Sequence, residues 1–293
     1  MSQRILITGA NGGFGELTTR ALLEAGHTVA ASMRDPDGRN QSAAEALQAA
    51  GAHIVDIDVT SGDSVKSGVQ AAIESAGGLD VLINNAGVGV MGLQENYTAS
   101  DMQRLFDINV FGVQRMNRAV LPLFRKQASG LLLHVSSLLG RITIPFYGPY
   151  NSSKWALEAL AENYRTELSA FGVDSCLVEP GGFPTSFVDR LMRPSDTTRD
   201  TEYGEFAEAP AAALAGFEAA LAANPAQDPA IVAEAIVAVV ETPAGERPFR
   251  TVVDKMGMGE PIEAYNQHLA EVTTGIYTAF GTSDMLKLKV GES

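Results

Sequence analysis

Residues 4–15 read Arg4-Ile5-Leu6-Ile7-Thr8-Gly9-Ala10-Asn11-Gly12-Gly13-Phe14-Gly15, and this stretch decides the fold. Arg4 to Thr8 is a short apolar run ending in glycine, the pattern of a parallel strand buried on both faces. Between Gly13 and Ala25, the residues Leu17, Ala21, Leu22 and Ala25 recur at helical spacing, and Gly26 follows as a stop. A glycine-rich turn between a first strand and a first helix is the context that a dinucleotide-binding loop requires. Gly9 permits the tight turn. Gly12, Gly13 and Gly15 let the backbone approach a pyrophosphate at the helix N-terminus, where free N–H groups and the helix dipole favour anions. Such loops also serve as plain turns, so the rest of the chain must decide.

The alternation continues outward. His27 to Met33 reads as a second strand, Asn40 to Ala50 as an Ala-rich helix closed by Gly51, and His53 to Ile57 as a third strand. Ser61 to Ser75 is a helix with Val65, Val69, Ala72 and Ile73 on one face. Val81 to Ile83 is strand four. Two helices are expected around Ala99–Val110 and Gly112–Lys126, then strand five at Gly130–Val135, a helix over Tyr150–Phe171, and strand six at Val173–Glu179. The rhythm breaks over residues 181–227, which read as irregular. It returns at Asp228–Glu241, a helix capped by Asp228 with Pro229 at its first position, and at Thr251–Asp254, a last strand. Residues 255–293 read as one amphipathic helix and a tail. The pattern predicts an α/β fold, a Rossmann-like doubly wound parallel sheet flanked by helices in a single domain.

Composition narrows the function. The 293 residues are 45% hydrophobic and 19% charged, an ordinary globular balance. Lys and Arg number 21 against 35 Asp and Glu, a formal net charge of -14 that repels nucleic-acid backbones. The single cysteine, Cys176, rules out an intramolecular disulfide and a cysteine metal cage, and reads as a small core residue. The four histidines show no metal spacing, and His134 reads as a satisfied strand residue. No apolar run reaches the roughly 18 residues of a membrane span, and the N-terminus reads as a strand rather than a signal peptide. These features fit a cytoplasmic protein that binds neither nucleic acid nor membrane.

Further motifs fall in one order along the chain. Asn84-Asn85-Ala86-Gly87 follows strand four, Asn109 lies in Asp107-Ile108-Asn109-Val110, and Ser137 stands 13 residues before Tyr150. Tyr150-Asn151-Ser152-Ser153-Lys154 opens a helix, and Pro180-Gly181 ends strand six with Thr185 completing PGxxxT. Glycines 9, 13 and 15 fit a TGxxxGxG loop, while 9, 12 and 15 equally fit TGxxGxxG. Jointly, these motifs resemble the short-chain dehydrogenase/reductase family over residues 1 to about 255, and NNAG favours its compact branch over the epimerase-like one. The expected organisation is a Rossmann domain over 1–255, with 181–227 as a substrate lid within it, and 256–293 as a helical extension of the same domain.

The chemistry can be argued beside the resemblance. Tyr150 and Lys154 are four apart, so a helix sets them on one face. A lysine charge about 5 Å away, at an effective dielectric of about 20, is worth about 3 kcal/mol, or about two pKa units off a phenol that ordinarily titrates near 10. Tyr150 is thus expected to exchange a proton with an alcohol or carbonyl near neutral pH, with Ser137 donating a hydrogen bond to the substrate oxygen. Alternation along strand five turns Ser136 away from Ser137. The resemblance implies a proton relay from Asn109 through Lys154. It also implies cofactor contacts at Gly9, Asn11, Gly12, Gly13, Phe14 and Gly15, at Asp58 and Val59, at Asn85, Ala86 and Gly87, and at Tyr150, Lys154, Pro180, Gly181, Phe183 and Thr185.

The nicotinamide cofactor is expected to be NADP(H). Met33 stands where NAD-using relatives carry an aspartate, and Arg34 follows, where a guanidinium suits a 2′-phosphate. Asp35 would point away if the strand continued. The substrate wall is expected from Val88–Leu93, Leu138–Leu139, Pro145–Tyr147 and Gly182–Met192, naming Met91, Leu93, Leu138, Phe146, Phe183, Phe187, Leu191 and Met192. These apolar groups predict a hydrophobic alcohol or ketone, aromatic or steroid-like. The resemblance also implies a homodimer or homotetramer built on the long helices; Trp155 itself reads as a core or interface residue. Two rival readings stand: an NAD-retaining epimerase or dehydratase on the same fold, and a non-catalytic NADP-sensing protein.

Overall fold

The computed structural model describes residues 2–290. Met1 and residues 291–293, the outer ends of the two expected segments, lie outside the described residues. The described residues form a seven-stranded parallel sheet in the order β3-β2-β1-β4-β5-β6-β7. The strands are β1 (Arg4–Thr8), β2 (Thr28–Met33), β3 (His53–Asp56), β4 (Val81–Asn84), β5 (Gly130–Val135), β6 (Val173–Pro180) and β7 (Arg250–Val253). Between them run α1 (Gly13–Glu24), α2 (Gln41–Ala49), α3 (Gly62–Ala76), α4 (Ala99–Phe106), α5 (Val113–Lys126) and α6 (Gly148–Leu168). After β6 come α7 (Asp200–Tyr203), α8 (Ala209–Ala222) and α9 (Ala230–Glu241), and α10 (Gly259–Ala279) follows β7.

Alternation along each strand divides the core into two layers. Ile5, Ile7, Val29 and Ala31 face α1 and α9 through Leu22, Val232 and Ile236. Leu6, Ala30, Leu82 and Leu132 face α3 and α5 through Val65, Val69, Met116, Val120 and Phe124. The chain reverses direction across the sheet between β1 and β4, and a doubly wound sheet opens its ligand crevice at the carboxyl ends of such strands. Here the two loops at that point are joined. Thr8 Oγ1 accepts from the N–H groups of Asn85 and Ala86, both at 3.0 Å. Asn85 Nδ2 donates to the carbonyls of Thr8 and Gly9. Gly9 has φ +69°, and a Cβ there would come within 2.9 Å of Ala86 Cα.

Three expectations change. The helices expected over 99–110 and 112–126 are one run, because a π-helical turn at Asp107–Gly112 continues α4 into α5 with helical backbone at both joints. That turn seats Asn109 against Val88, whose N–H it accepts at 3.0 Å and whose carbonyl it meets at 2.9 Å. The stretch 181–227 is only partly irregular. Residues 209–222 (APAAALAGFEAALA) are Ala-rich with proline in the first turn, and helix propensity prevails there. His134 is not fully satisfied: Nδ1 lies 3.3 Å from Asn84 Nδ2, while the buried Nε2 has no hydrogen-bond partner among the described residues. Asp228 does accept from the Ala230 N–H at 2.9 Å at the start of α9, and Cys176 is buried in β6 with its thiol pushed up to about 12 by burial.

The C-terminal segment is anchored through buried charge. Asp254 accepts the N–H groups of Met256, Met258 and Gly259, which turns the chain from β7 into α10. Asn266 of α10 then accepts from Arg141 Nε at 2.8 Å and donates to Glu179 at 2.5 Å. Arg250 reaches Glu158 at 3.2 Å and Glu179 at 3.1 Å. Glu158, Glu179 and Arg141 are all buried. Trp155 is not core: it is 42% exposed, with its ring 5.9 Å from the Arg141 guanidinium carbon.

Candidate active site

The carboxyl ends of β1, β4, β5 and β6 open into one cavity of about 750 Å³. Strand β5 delivers Ser137, and the first turns of α6 deliver Tyr150 and Lys154. Ser137 Oγ accepts from the Leu139 N–H at 3.1 Å, which fixes the side chain at the head of a short turn, and its hydroxyl faces the Tyr150 phenol. Ser136 turns the other way, toward Glu158, as alternation requires. Lys154 Nζ donates to the Val135 carbonyl at 2.8 Å and lies 5.6 Å from the centre of the Tyr150 ring.

The electrostatics correct the sequence argument about Tyr150. Burial pushes the phenol well above its ordinary value; the Ser137 hydroxyl opposes this and Tyr147 adds to it. Burial also lowers Lys154 to about 8, against an opposing pull from Glu158. The lysine therefore does not offset the desolvation of the tyrosinate, and the expected downward shift of about two units is reversed in the protein alone. The cost of burying the tyrosinate outweighs any gain from the lysine charge. Asn109 lies outside the cavity wall. Its amide is engaged by Val88 and by Ser153 Oγ at 3.1 Å, so its side chain holds the floor beneath Gly87.

The cofactor half fits a dinucleotide. Gly12 caps α1 without a side-chain hydrogen bond, and it and Gly13 have φ +148° and +53°. Gly15 is behind the cavity wall, where a Cβ would collide with the Gly9 carbonyl. This is a cradle that side chains would fill. Gly9, Asn11, Phe14, Asp58, Val59, Asn85, Ala86, Gly87, Pro180, Gly181, Phe183 and Thr185 line the same cavity. Phe14 meets Phe183 edge-on at 5.5 Å, and Asn11 Nδ2 donates to Asn40 Oδ1 at 2.9 Å. At the far end, Met33 is buried and Arg34 stands 3.9 Å from Asp58. Burial raises Asp58, but hydrogen bonds from Thr60 and the charges of Arg34 and Arg39 outweigh it and hold the carboxyl below its ordinary value. Asp35 does leave the cavity, although not by continuing the strand. It has φ +51° and its carboxylate accepts from the Arg39 N–H.

The sequence reading missed Arg39, a second guanidinium beside Arg34 at this end of the cavity, and Arg190 on its opposite wall. The signal for Arg39 was present in Arg34-Asp35-Pro36-Asp37-Gly38-Arg39, a turn that returns the chain to the strand end. The substrate half also shifts. Leu138, Phe146, Phe183, Phe187 and Leu191 line the cavity, but Met91, Leu93 and Met192 do not. Met91 and Leu93 are buried, and Met192 bridges to Val90 as a short parallel pair. In their place the wall includes Ile144, Ala213 and Phe217 of α8, and Met258. Nothing in a single sequence brings α8 to this wall.

Known proteins share these features. The short chain dehydrogenase family matches residues 3–195. A 3-ketodihydrosphingosine reductase of Bacteroides thetaiotaomicron is 38% identical over 203 residues, which is 69% of this chain and 72% of that protein. A solved short chain dehydrogenase/reductase from Burkholderia phymatum in complex with NAD is 26% identical, with a TM-score of 0.72 over 86% of this chain and 89% of its own. An alcohol dehydrogenase from Thermococcus sibiricus complexed with 5-hydroxy-NADP is 25% identical, with a TM-score of 0.66 over 85% of this chain and 95% of its own. The sheet order, the glycine cradle, the Ser137–Tyr150–Lys154 cluster and these matches agree: the chain belongs to the short-chain dehydrogenase/reductase family of nicotinamide-dependent oxidoreductases.

Proposed function

We propose that the protein is an NADP(H)-dependent oxidoreductase that interconverts an apolar alcohol with its ketone or aldehyde, with Tyr150 as the general acid/base. The observation that carries the cofactor choice is the pair Arg34 and Arg39 at the end of β2, where no carboxylate takes the position of Met33. Two guanidiniums favour a 2′-phosphate, while a ribose 2′-hydroxyl calls for an acidic acceptor. The solved relatives include complexes with both cofactor types, so the choice rests on these residues. Gly9 to Phe14, Asn85 to Gly87 and Thr185 would hold the coenzyme, which supplies or accepts the hydride when bound.

The chain's own residues manage the proton. Ser137 directs the substrate oxygen toward Tyr150, and the buried phenol stays protonated at neutral pH, which suits donation to a carbonyl. Lys154, fixed on the Val135 carbonyl, faces the charge that appears on Tyr150 after donation. The apolar wall of Leu139, Phe146, Phe187, Leu191 and Phe217 favours a hydrophobic substrate, and the similarity to a 3-ketodihydrosphingosine reductase supports an apolar ketone.

The test is a fluorescence titration with NADPH and NADH. NADPH should bind the more tightly. Arg34→Ala and Arg39→Ala should each weaken it by about 10- to 100-fold while leaving NADH within a few-fold, as loss of a charge-assisted contact implies. Equal binding of both cofactors would refute the assignment. NAD recovered bound to purified protein would favour an epimerase or dehydratase.

A further inference from the structure

The segment after β6 arches over the cavity between two fixed points. At one end the Gly181 N–H pairs with the Val253 carbonyl at 2.8 Å. At the other, the Met192 N–H donates to Gly89 at 2.9 Å, the Met192 carbonyl accepts from Met91 at 3.2 Å, and the Tyr97 hydroxyl also donates to it. Beyond Met192 the chain is fastened to the start of α4, where Asp101 accepts from both the N–H and the hydroxyl of Ser195. The span between these anchors carries Thr185, Ser186, Phe187 and Arg190.

Arg190 is exposed, and its side chain turns to line the cavity. Its Nη2 lies 3.2 Å from the point a Cβ on Gly12 would occupy, with Ser186 Oγ at 3.4 Å from the same point. Thr185 lies 3.8 Å from the corresponding point on Gly13. A guanidinium thus rests against the first residues of α1, whose cap offers no side-chain acceptor. Among the described residues no carboxylate pairs with Arg190 within 4.0 Å. A cation facing a helix N-terminus is electrostatically unfavourable, since both present positive charge. An anion between them reverses the sign of both interactions.

We propose that Arg190 is a ligand for the diphosphate bridge of the coenzyme, closing on it from the arch while the N-terminus of α1 holds it from below. This rests on the reading that the cavity takes a nicotinamide dinucleotide, and goes beyond it by assigning a residue outside the motifs. The same short turn, Val188–Arg190, follows Phe187, whose ring packs edge-on against Tyr150 at 5.8 Å. Leu191, next after Arg190, packs on Gly89. Engagement of the diphosphate by Arg190 therefore also holds the apolar wall beside the phenol. Arg190 is a binding residue for the coenzyme and, through Phe187, a positioning residue for the substrate.

The test compares wild type with Arg190→Ala, an exposed position. NADPH binding is followed by nicotinamide fluorescence, and adenosine 2′-monophosphate, which keeps the 2′-phosphate but has no diphosphate, is followed by calorimetry. The variant should bind NADPH about 10- to 100-fold more weakly and adenosine 2′-monophosphate within twofold of wild type. Saturating NADPH should protect Phe187 from chymotrypsin in wild type and not in the variant. A rise in NADPH Kd of less than tenfold, an equal loss for adenosine 2′-monophosphate, or equal protection at Phe187 would each overturn the proposal. Wild type that binds neither NADPH nor NADH would instead sink the cofactor reading beneath it.

Discussion

Tyr150→Phe is expected to lower kcat for carbonyl reduction by about 100- to 10,000-fold, the range that a positioned general acid supplies. The substitution removes one oxygen and keeps the ring that packs against Phe187. NADPH affinity should change by less than threefold, so the loss appears in kcat and not in coenzyme binding. A variant that keeps more than a tenth of wild-type kcat would remove Tyr150 from the mechanism. The pH dependence has a defined shape as well. Lys154 loses its proton as pH rises through about 8, while the phenol, raised above its ordinary value, keeps its proton throughout that window. The kcat/KM for NADPH reports the free enzyme. It should be flat from about pH 6 to pH 7 and fall as pH rises through about 8, and Lys154→Arg should remove the alkaline limb. A limb that persists in that variant would assign the titration to another group.

Arg250→Met should destabilise the fold by about 3–5 kcal/mol, the usual cost of removing one member of a buried ionic cluster. Arg250 is the cation that touches both Glu158 and Glu179, and its loss leaves the pair only Arg141, 3.9 Å from Glu158. Denaturant unfolding at pH 7 measures the change, and a loss under 1 kcal/mol would show that the cluster is solvated. Its pH sign is also fixed. Burial first, and then Glu158, push Glu179 up to about 8, against the pull of Arg250. A carboxyl whose folded pKa lies above its unfolded value stabilises the fold at low pH. That contribution is lost as pH rises from the unfolded value through about 8. Glu179→Gln should flatten this slope.

Much of the fold was legible because buried parallel strands and glycine punctuation are local signals. Each strand bound at Arg4–Thr8, Val81–Ile83 and Gly130–Val135 came within a residue of the structure. The π-turn at Asp107–Gly112 was not legible, since it depends on Asn109 meeting Val88 across a tertiary contact. Nor was α8, which lies in a stretch that read as irregular and whose Phe217 reaches the cavity through packing alone. Ser137, Tyr150 and Lys154 were found by spacing, and the structure sets them around one cavity. Their electrostatics were misjudged because a sequence shows which charges exist and not how deeply the fold buries them.

The contact between Arg141 and Asn266 joins residues 125 apart in sequence. Arg141 closes the short turn that begins at Ser137, so this turn is completed by a side chain that is translated much later. On the ribosome, the strands through β6 can pair while the Ser137 turn still lacks its clasp. Catalytic competence should therefore appear as a late event in biosynthesis, after α10 has emerged and docked. A chain truncated after Val253 should hold a formed sheet and an unfinished centre.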